Sequence, residues 1–244
     1  LEFRRVLYRS AADDVIVSQD RGTDVVALFA VYQTSPLGIL SHAEQGLKSI
    51  PELMKSKGTL AMQNGATMWQ YLLRKYPNPT VKVVPYSGGV STFLAQKEFS
   101  QQCYVTAEPV AARRAGAKVT AFRVADEGYN PYNTVLVTRR KTIESKPEMV
   151  KAMLAAVTDG WGGYVASSAQ TNQKMKQINP SMDLATFNEV AEIQKPLVFG
   201  GEKRAKDFRL GSIDENRWKT LADQLLELKL IRKVKPAKDY FQNP

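Results

Sequence analysis

The sequence predicts an α/β fold whose second half is mainly helical. Residues 23–32 (TDVVALFAVY) form a continuous apolar run between turn residues, the mark of a buried strand. Between Val83 and Tyr132, three polar clusters close short apolar runs about 20 residues apart: Pro85-Tyr86-Ser87-Gly88-Gly89, Tyr104-Val105-Thr106-Ala107-Glu108-Pro109 and Glu127-Gly128-Tyr129-Asn130-Pro131-Tyr132. From Ser145 onward, apolar residues recur at helical spacing. The repeated clusters put tyrosines and polar groups on one edge of a sheet, where α/β sheets hold small ligands.

The elements follow in order. Residues 11–22 read as a short capped helix ending at Gly22. After the strand at 23–32 and the break at Thr34-Ser35-Pro36, Leu37-Gly38-Ile39-Leu40 is a second strand. Ser49, Pro51 and Glu52 give the helix that follows a capping-box start. A βα plan then repeats: strand 59–62, glycine loop 63–67 and helix 68–76; strand 81–85, then Ser87-Gly88-Gly89 into a helix through Leu94; strand 103–106, then helix 109–115. Strands at 119–124 and 134–138 close the α/β part. Helices at 149–165, 183–194 and 214–228 complete the chain. Residues 1–10 (LEFRRVLYRS) show neither a start methionine nor a signal-peptide pattern, and they are read as a foreign, cloning-derived leader.

With 244 residues, the chain can bury a sizeable core, and no apolar run approaches the ~18 residues of a membrane helix. Its net charge of +10 and pI near 9.6 invite a nucleic-acid reading. The basic residues are scattered, however. The densest groups (Arg113-Arg114, Arg139-Arg140-Lys141 and residues 229–238) fall at helix ends or solvated faces, giving a positive surface suited to anionic ligands or lipid surfaces. The single Cys103 excludes an internal disulfide, and as a strand residue it reads as a small buried apolar side chain. The single His42 argues against a histidine metal site or a Ser-His-Asp triad. Trp69, Trp161 and Trp218 sit at core-compatible helical positions. The loops at Gln63-Asn64-Gly65 and Ser87-Gly88-Gly89 expose backbone N–H groups at helix starts, but neither matches a phosphate-loop or dinucleotide pattern.

Residues 23–35 (TDVVALFAVYQTS), 84–89 (VPYSGG), 101–109 (QQCYVTAEP) and 126–132 (DEGYNPY) resemble bacterial ABC-importer solute-binding proteins. The branch is the one related to thiamine-pyrimidine-precursor binding proteins and to the fungal pyrimidine synthase. The resemblance implies a type II periplasmic-binding-protein fold: two α/β lobes joined by a hinge, crossed twice, with ligand enclosed between them. Lobe I would comprise residues 11–56 and 128–244, and lobe II residues 57–127, with an N-terminal part of lobe I missing before Ala11.

Within that frame Glu108 is the first candidate for the ligand, its carboxylate able to accept from an aminopyrimidine or to pair with a cation. Tyr86, Tyr104, Tyr129 and Tyr132 would wall in a flat ring. Gln33, Thr34 and Ser35 lie past the end of a buried strand. Gln63, Gly65, Gly88, Gly89 and Thr106 complete the expected contacts. Asp14 falls roughly where the fungal synthases carry the histidine they consume, and it is read as lining the cleft or capping a helix. That acidic residue and the lack of the synthases' cysteine cluster count against synthase chemistry.

The resemblance implies a periplasmic or cell-surface, non-catalytic receptor for a small heterocycle such as a thiamine pyrimidine precursor. It would act by lobe closure, as a monomer, with an ABC permease as partner. No cofactor, metal or nucleic acid is expected, and membrane contact would come only through the permease or a lipid anchor. A sulfonate, nitrate or other small organic anion is the alternative ligand. A pyrimidine synthase or the effector domain of a regulator is the alternative of another class.

Overall fold

The computed structural model describes residues 7–201 and 208–242. It divides into two compact units: residues 1–35 with 131–244, and residues 36–130. The chain therefore passes from one unit to the other at Ser35/Pro36 and returns at Asn130/Pro131. The return lies close to the expected boundary after residue 127. The first crossing comes well before residue 56, because the strand that follows Pro36 joins the second unit's sheet.

The first unit is built on a three-stranded antiparallel sheet in the order β1 (Leu7–Ser10), β8 (Asn133–Arg139), β2 (Val25–Tyr32). Residues 7–10, expected to belong to a foreign leader, form the strand paired with β8. Ladder pairing uses backbone groups, so an unusual composition is no obstacle to it. All eight residues of β2 are buried, since α1 (Ala12–Asp20), α7 (Pro147–Ala166) and α9 (Leu184–Phe199) all pack on the strand.

The other edge of β2 is covered by chain from far along the sequence. The Ala27 N–H donates to the Tyr240 carbonyl at 2.9 Å, and the Ala30 N–H to the Gly211 carbonyl at 3.0 Å. A strand edge closed in this way offers no template for pairing with another chain. Gly211 is required there: its φ is +82°, and a Cβ would lie 2.1 Å from the Phe29 ring. The unit also contains α6 (Arg140–Ser145), α8 (Ala169–Ile178) and α10 (Glu215–Glu227). Asp183 and Asp214 cap α9 and α10, accepting from Thr186 N and Arg217 N at 2.6 and 2.8 Å. Trp218 of α10 is fully buried between Tyr240 and Phe241, in the packing role expected for it.

The second unit holds a five-stranded sheet in the order β5 (Lys82–Pro85), β4 (Thr59–Met62), β6 (Phe99–Tyr104), β3 (Leu37–His42), β7 (Val119–Arg123). Strand β4 runs parallel to β5 and to β6, whereas β3 is antiparallel to β6 and β7. The carboxyl ends of β4, β5, β6 and β7 therefore share one edge. Each of the first three leads through a loop into a helix: α3 (Thr67–Lys75), α4 (Ser91–Ala95) and α5 (Glu108–Arg114). The short helix α2 (Ile50–Met54) begins as expected, with Ser49 Oγ accepting from Glu52 N and Glu52 Oε2 from Lys48 N. Leu40, Ala61, Phe93, Phe99, Cys103 and Ala112 form a core cluster beneath these loops.

Candidate functional site

The carboxyl edge of β4, β5 and β6 gathers eight of the candidate residues. Tyr86 follows β5 directly and is held there by its N–H, which donates to the Met62 carbonyl at 3.1 Å. Its hydroxyl donates to Glu108 Oε1 at 3.1 Å. Glu108 opens α5, and its other oxygen turns back to accept the backbone N–H of Tyr104 at 2.8 Å. The Tyr104 ring stands out from this edge, 43% exposed. One carboxylate is thus fixed by two donors from separate loops, beside an exposed aromatic face.

The neighbouring loops are tied to the same strand. Gln63 N donates to Gln102 Oε1 at 2.6 Å, and Gln101 Nε2 donates to the Gly89 carbonyl at 2.8 Å. Gly65, Gly88 and Gly89 are exposed, and all three have positive φ. Of these, Gly88 and Gly89 need glycine most plainly, because two successive left-handed residues turn the chain from β5 toward α4. Thr106 is buried within the β6–α5 turn.

The electrostatics of this edge come from burial and from Glu108. Burial first, then the charge and hydrogen bond of Glu108, pushes the Tyr86 phenol up to about 12. Burial, with the nearby Glu108 charge as the second cause, raises the Cys103 thiol well above its usual range, so this buried thiol stays protonated. The Tyr86 hydroxyl donates to Glu108, and its oxygen meets the Gly89 backbone N–H, which pulls the phenol down against the other causes. The edge therefore presents a carboxylate acceptor beside an aromatic ring, a set that complements an N–H donor or a cation.

Tyr129 departs from the expectation. It is fully buried, its ring 5.2 Å from that of Tyr71. The turn at Gly128, with φ +97°, follows a residue clamped to α3: Glu127 accepts from Lys75 Nζ at 2.9 Å and from the Tyr76 hydroxyl, while its carbonyl accepts from Tyr71 Oη at 2.8 Å. Burial alone would raise the Glu127 carboxyl, but the bonds from Tyr76 and Lys75 outweigh it and hold the group below its ordinary value.

The remaining candidates belong to the first unit. Tyr132 is buried, and the Arg217 guanidinium lies 3.9 Å from its ring centroid. Its hydroxyl accepts from Asp214 N at 3.0 Å, so its hydroxyl and one ring face are engaged within the first unit. Gln33 is half-buried at the end of β2; its amide donates to the carbonyls of Ala30 and Ser212 at 3.0 and 3.1 Å. Ser35 is fully buried, and Thr34 N donates to the Leu197 carbonyl at 2.9 Å. Asp14 is exposed and accepts from Ala11 N at 3.2 Å, the helix-capping alternative of its two expected roles.

Arg217 is the residue that sequence reasoning missed. It donates to the Gln33 carbonyl as well as covering Tyr132, and burial pulls its guanidinium pKa down. It stands 184 residues from Gln33 in a solvated-looking helix start, with no local pattern marking it. Among the described residues, no group of three or more His, Cys, Asp or Glu could hold a metal ion.

No curated protein sequence matches the chain. Among solved structures, the periplasmic aliphatic sulphonate binding protein SsuA from Escherichia coli is similar at a TM-score of 0.72 and 13% identity, over 98% of this chain and 76% of its own. A conserved Candida albicans gene product with the generic periplasmic binding protein fold is similar at a TM-score of 0.63 and 11% identity, over 99% and 80%. The desulfurization enzyme DSZB is similar at a TM-score of 0.63 and 10% identity, over 97% and 82%. These likenesses give the chain the type II periplasmic-binding-protein fold, an architecture that carries both binding and catalysis. The NMT1/THI5-like family profile matches residues 9–170, more than half of the chain, and the chain belongs to that family.

Proposed function

We propose that the chain is the extracytoplasmic solute-binding component of an ABC importer, and that its ligand is a flat heterocycle bearing amino groups or positive charge, such as a thiamine pyrimidine precursor. The observation that supports this reading is the Glu108 carboxylate, fixed by Tyr86 and the Tyr104 N–H beside the exposed Tyr104 ring. An amino group would take the remaining carboxylate lone pairs while the ring stacks on tyrosine. A sulfonate at the same place would meet the like charge of Glu108. Isothermal titration of the chain with an aminopyrimidine and with an alkyl sulfonate tests the assignment: heat with the first and none with the second is the expected result.

Two observations favour a second reading, in which the ligand is a small organic anion. The Arg217 guanidinium stands at the Gln33 loop of the first unit, and SsuA of Escherichia coli binds sulphonates. A titration with heat only for the sulfonate would establish this reading.

The reading is non-catalytic. Asp14, at the position compared with the synthase histidine, is committed to Ala11 at a helix start. Incubation with pyridoxal phosphate and a pyrimidine should leave both unchanged. The proposed partner is an ABC permease, the proposed state a monomer and the proposed location periplasmic or cell-surface. Among the described residues no helix is long and apolar enough to cross a membrane.

A further inference from the structure

Two of the basic groups that look scattered along the sequence meet in the first unit, around the carboxyl end of α1. Residues 19–24, 139–141 and 232–239 together carry eight cationic side chains and three carboxylates, a net of +5 in a chain whose net charge is +10. Direct contacts join the three segments. Val25 pairs with Arg139 across β2 and β8. Arg140 Nε lies 3.3 Å from Asp24 Oδ1, and its guanidinium also donates to the Asp239 carbonyl. Lys235 Nζ donates to Gln19 Oε1 at 3.1 Å. Arg232 donates to Asp20 through its backbone N–H at 3.1 Å and its Nε at 3.0 Å. A cleft of about 360 Å³ lies among Gln19, Asp24, Arg140, Lys235 and Asp239.

The pairing within this face leaves its charge unbalanced. Asp24 pairs with Arg140, Asp20 with Arg232, and Lys238 with Glu215 of α10, whereas Arg21, Arg139 and Lys233 are exposed and have no ion-pair partner among the described residues. Half of the excess positive charge of the protein is thus held on 17 residues. The surrounding helices and the closed edge of β2 hold those residues in place.

We propose that this face docks the protein on an anionic phospholipid surface. The Asp24 carboxylate makes the cleft a poor pocket for a deeply held anion, so recognition is by many point charges acting outward on a dense array of phosphates. No exposed large apolar or aromatic side chain lies on these segments. The exposed ones among the described residues are Val83, Tyr104, Ile178, Met182, Leu184 and Leu226. The face therefore has no wedge to insert into the bilayer, and no ring on which a nucleic-acid base would stack. Contact of this kind is reversible and salt-sensitive, and it falls off within a Debye length of the surface. It is independent of the ligand assigned to the Glu108 edge, and adds a direct membrane contact to that made through a permease.

The test is co-sedimentation of the chain with vesicles of one-third phosphatidylglycerol in phosphatidylcholine, and with phosphatidylcholine alone. Binding is expected only to the first. It should be lost at about 1 M salt, where the screening length is about 3 Å. Each Lys or Arg near an anionic surface contributes about fivefold, so Arg21→Gln/Arg139→Gln/Lys233→Gln should lower the partition coefficient about a hundredfold. An unchanged melting temperature for that variant would show that the fold is intact. Equal partitioning of the triple variant, or no wild-type binding to the anionic vesicles, would overturn the proposal. So would tighter binding to duplex DNA than to the vesicles at matched phosphate concentration, which would make nucleic acid the partner.

Discussion

Replacing Glu108 by Gln removes a charge while keeping the shape of the side chain. The wild-type carboxylate accepts from Tyr86 at 3.1 Å and from Tyr104 N at 2.8 Å. In Glu108→Gln the amide oxygen can keep the Tyr104 N–H, and the Tyr86 hydroxyl can rotate to accept from the new amide. Both bonds survive as neutral ones. A hydrogen bond to a charged group is worth about 1.5–3 kcal/mol against about 0.5–1.5 for a neutral one, so each loses about 1 kcal/mol before screening. Glu108 is half-buried, which brings the net stability loss to about 1 kcal/mol.

An amino heterocycle held by the same carboxylate loses a further charged bond, a drop in affinity of about tenfold. Isothermal titration reads this directly, with an alkyl sulfonate as the control ligand. A second readout needs no ligand: without the carboxylate, the Tyr86 phenol should titrate below its wild-type value of about 12, visible as a lower-pH component in the ultraviolet tyrosine titration. Unchanged heterocycle affinity together with an unchanged titration would refute the reasoning. A gain of sulfonate binding with loss of heterocycle binding would support it.

Other consequences can be checked separately. Gly211→Ala puts a Cβ 2.1 Å from the Phe29 ring at a φ of +82°, so strain and overpacking together should cost about 3–5 kcal/mol in urea denaturation. Glu127→Gln should lose about 1 kcal/mol at neutral pH, discounted because Lys75 is partly exposed. Since the folded Glu127 carboxyl lies below its ordinary value of 4.5, its contribution is present above that value and fades as pH falls through the folded one; the gap between wild type and variant should close on acidification. Tyr86 behaves in the opposite sense: its stabilisation is complete below pH 10 and is lost as pH rises toward about 12. Arg217→Met removes the cation stacked on Tyr132 and should cost about 1–2 kcal/mol, while changing heterocycle affinity less than about threefold. Abolished sulfonate binding in that variant would instead favour the anion reading.

Local chemistry made much of this fold legible. The run ending at Tyr32 is a fully buried strand, and Ser49, Asp183 and Asp214 cap the helices that follow them. Glu108 and Tyr86 could be placed on one edge in advance because both follow strands by a residue or a short turn, and parallel strands bring such positions together. What stayed hidden is long-range. The first crossing between units depends on β3 pairing with β6 and β7, and nothing within residues 37–42 states which sheet they join. The covering of β2 by Gly211 and Tyr240, and the approach of Arg217 to Gln33, are likewise contacts across most of the chain. Tyr129 was legible as an aromatic residue near a strand end, but its direction is set by the turn at Gly128 and by the Glu127 clamp on α3. The helix α8 is mostly polar, with too few apolar residues to set a period, so periodicity alone did not mark it.

The most direct test is a crystal structure of the chain grown with an aminopyrimidine. An amino nitrogen of the ligand is expected within hydrogen-bonding distance of a Glu108 carboxylate oxygen, with its ring against Tyr104 or Tyr86. Density for the ligand away from that carboxylate, or an anion seated on the Arg217 guanidinium with the Glu108 edge empty, would contradict it.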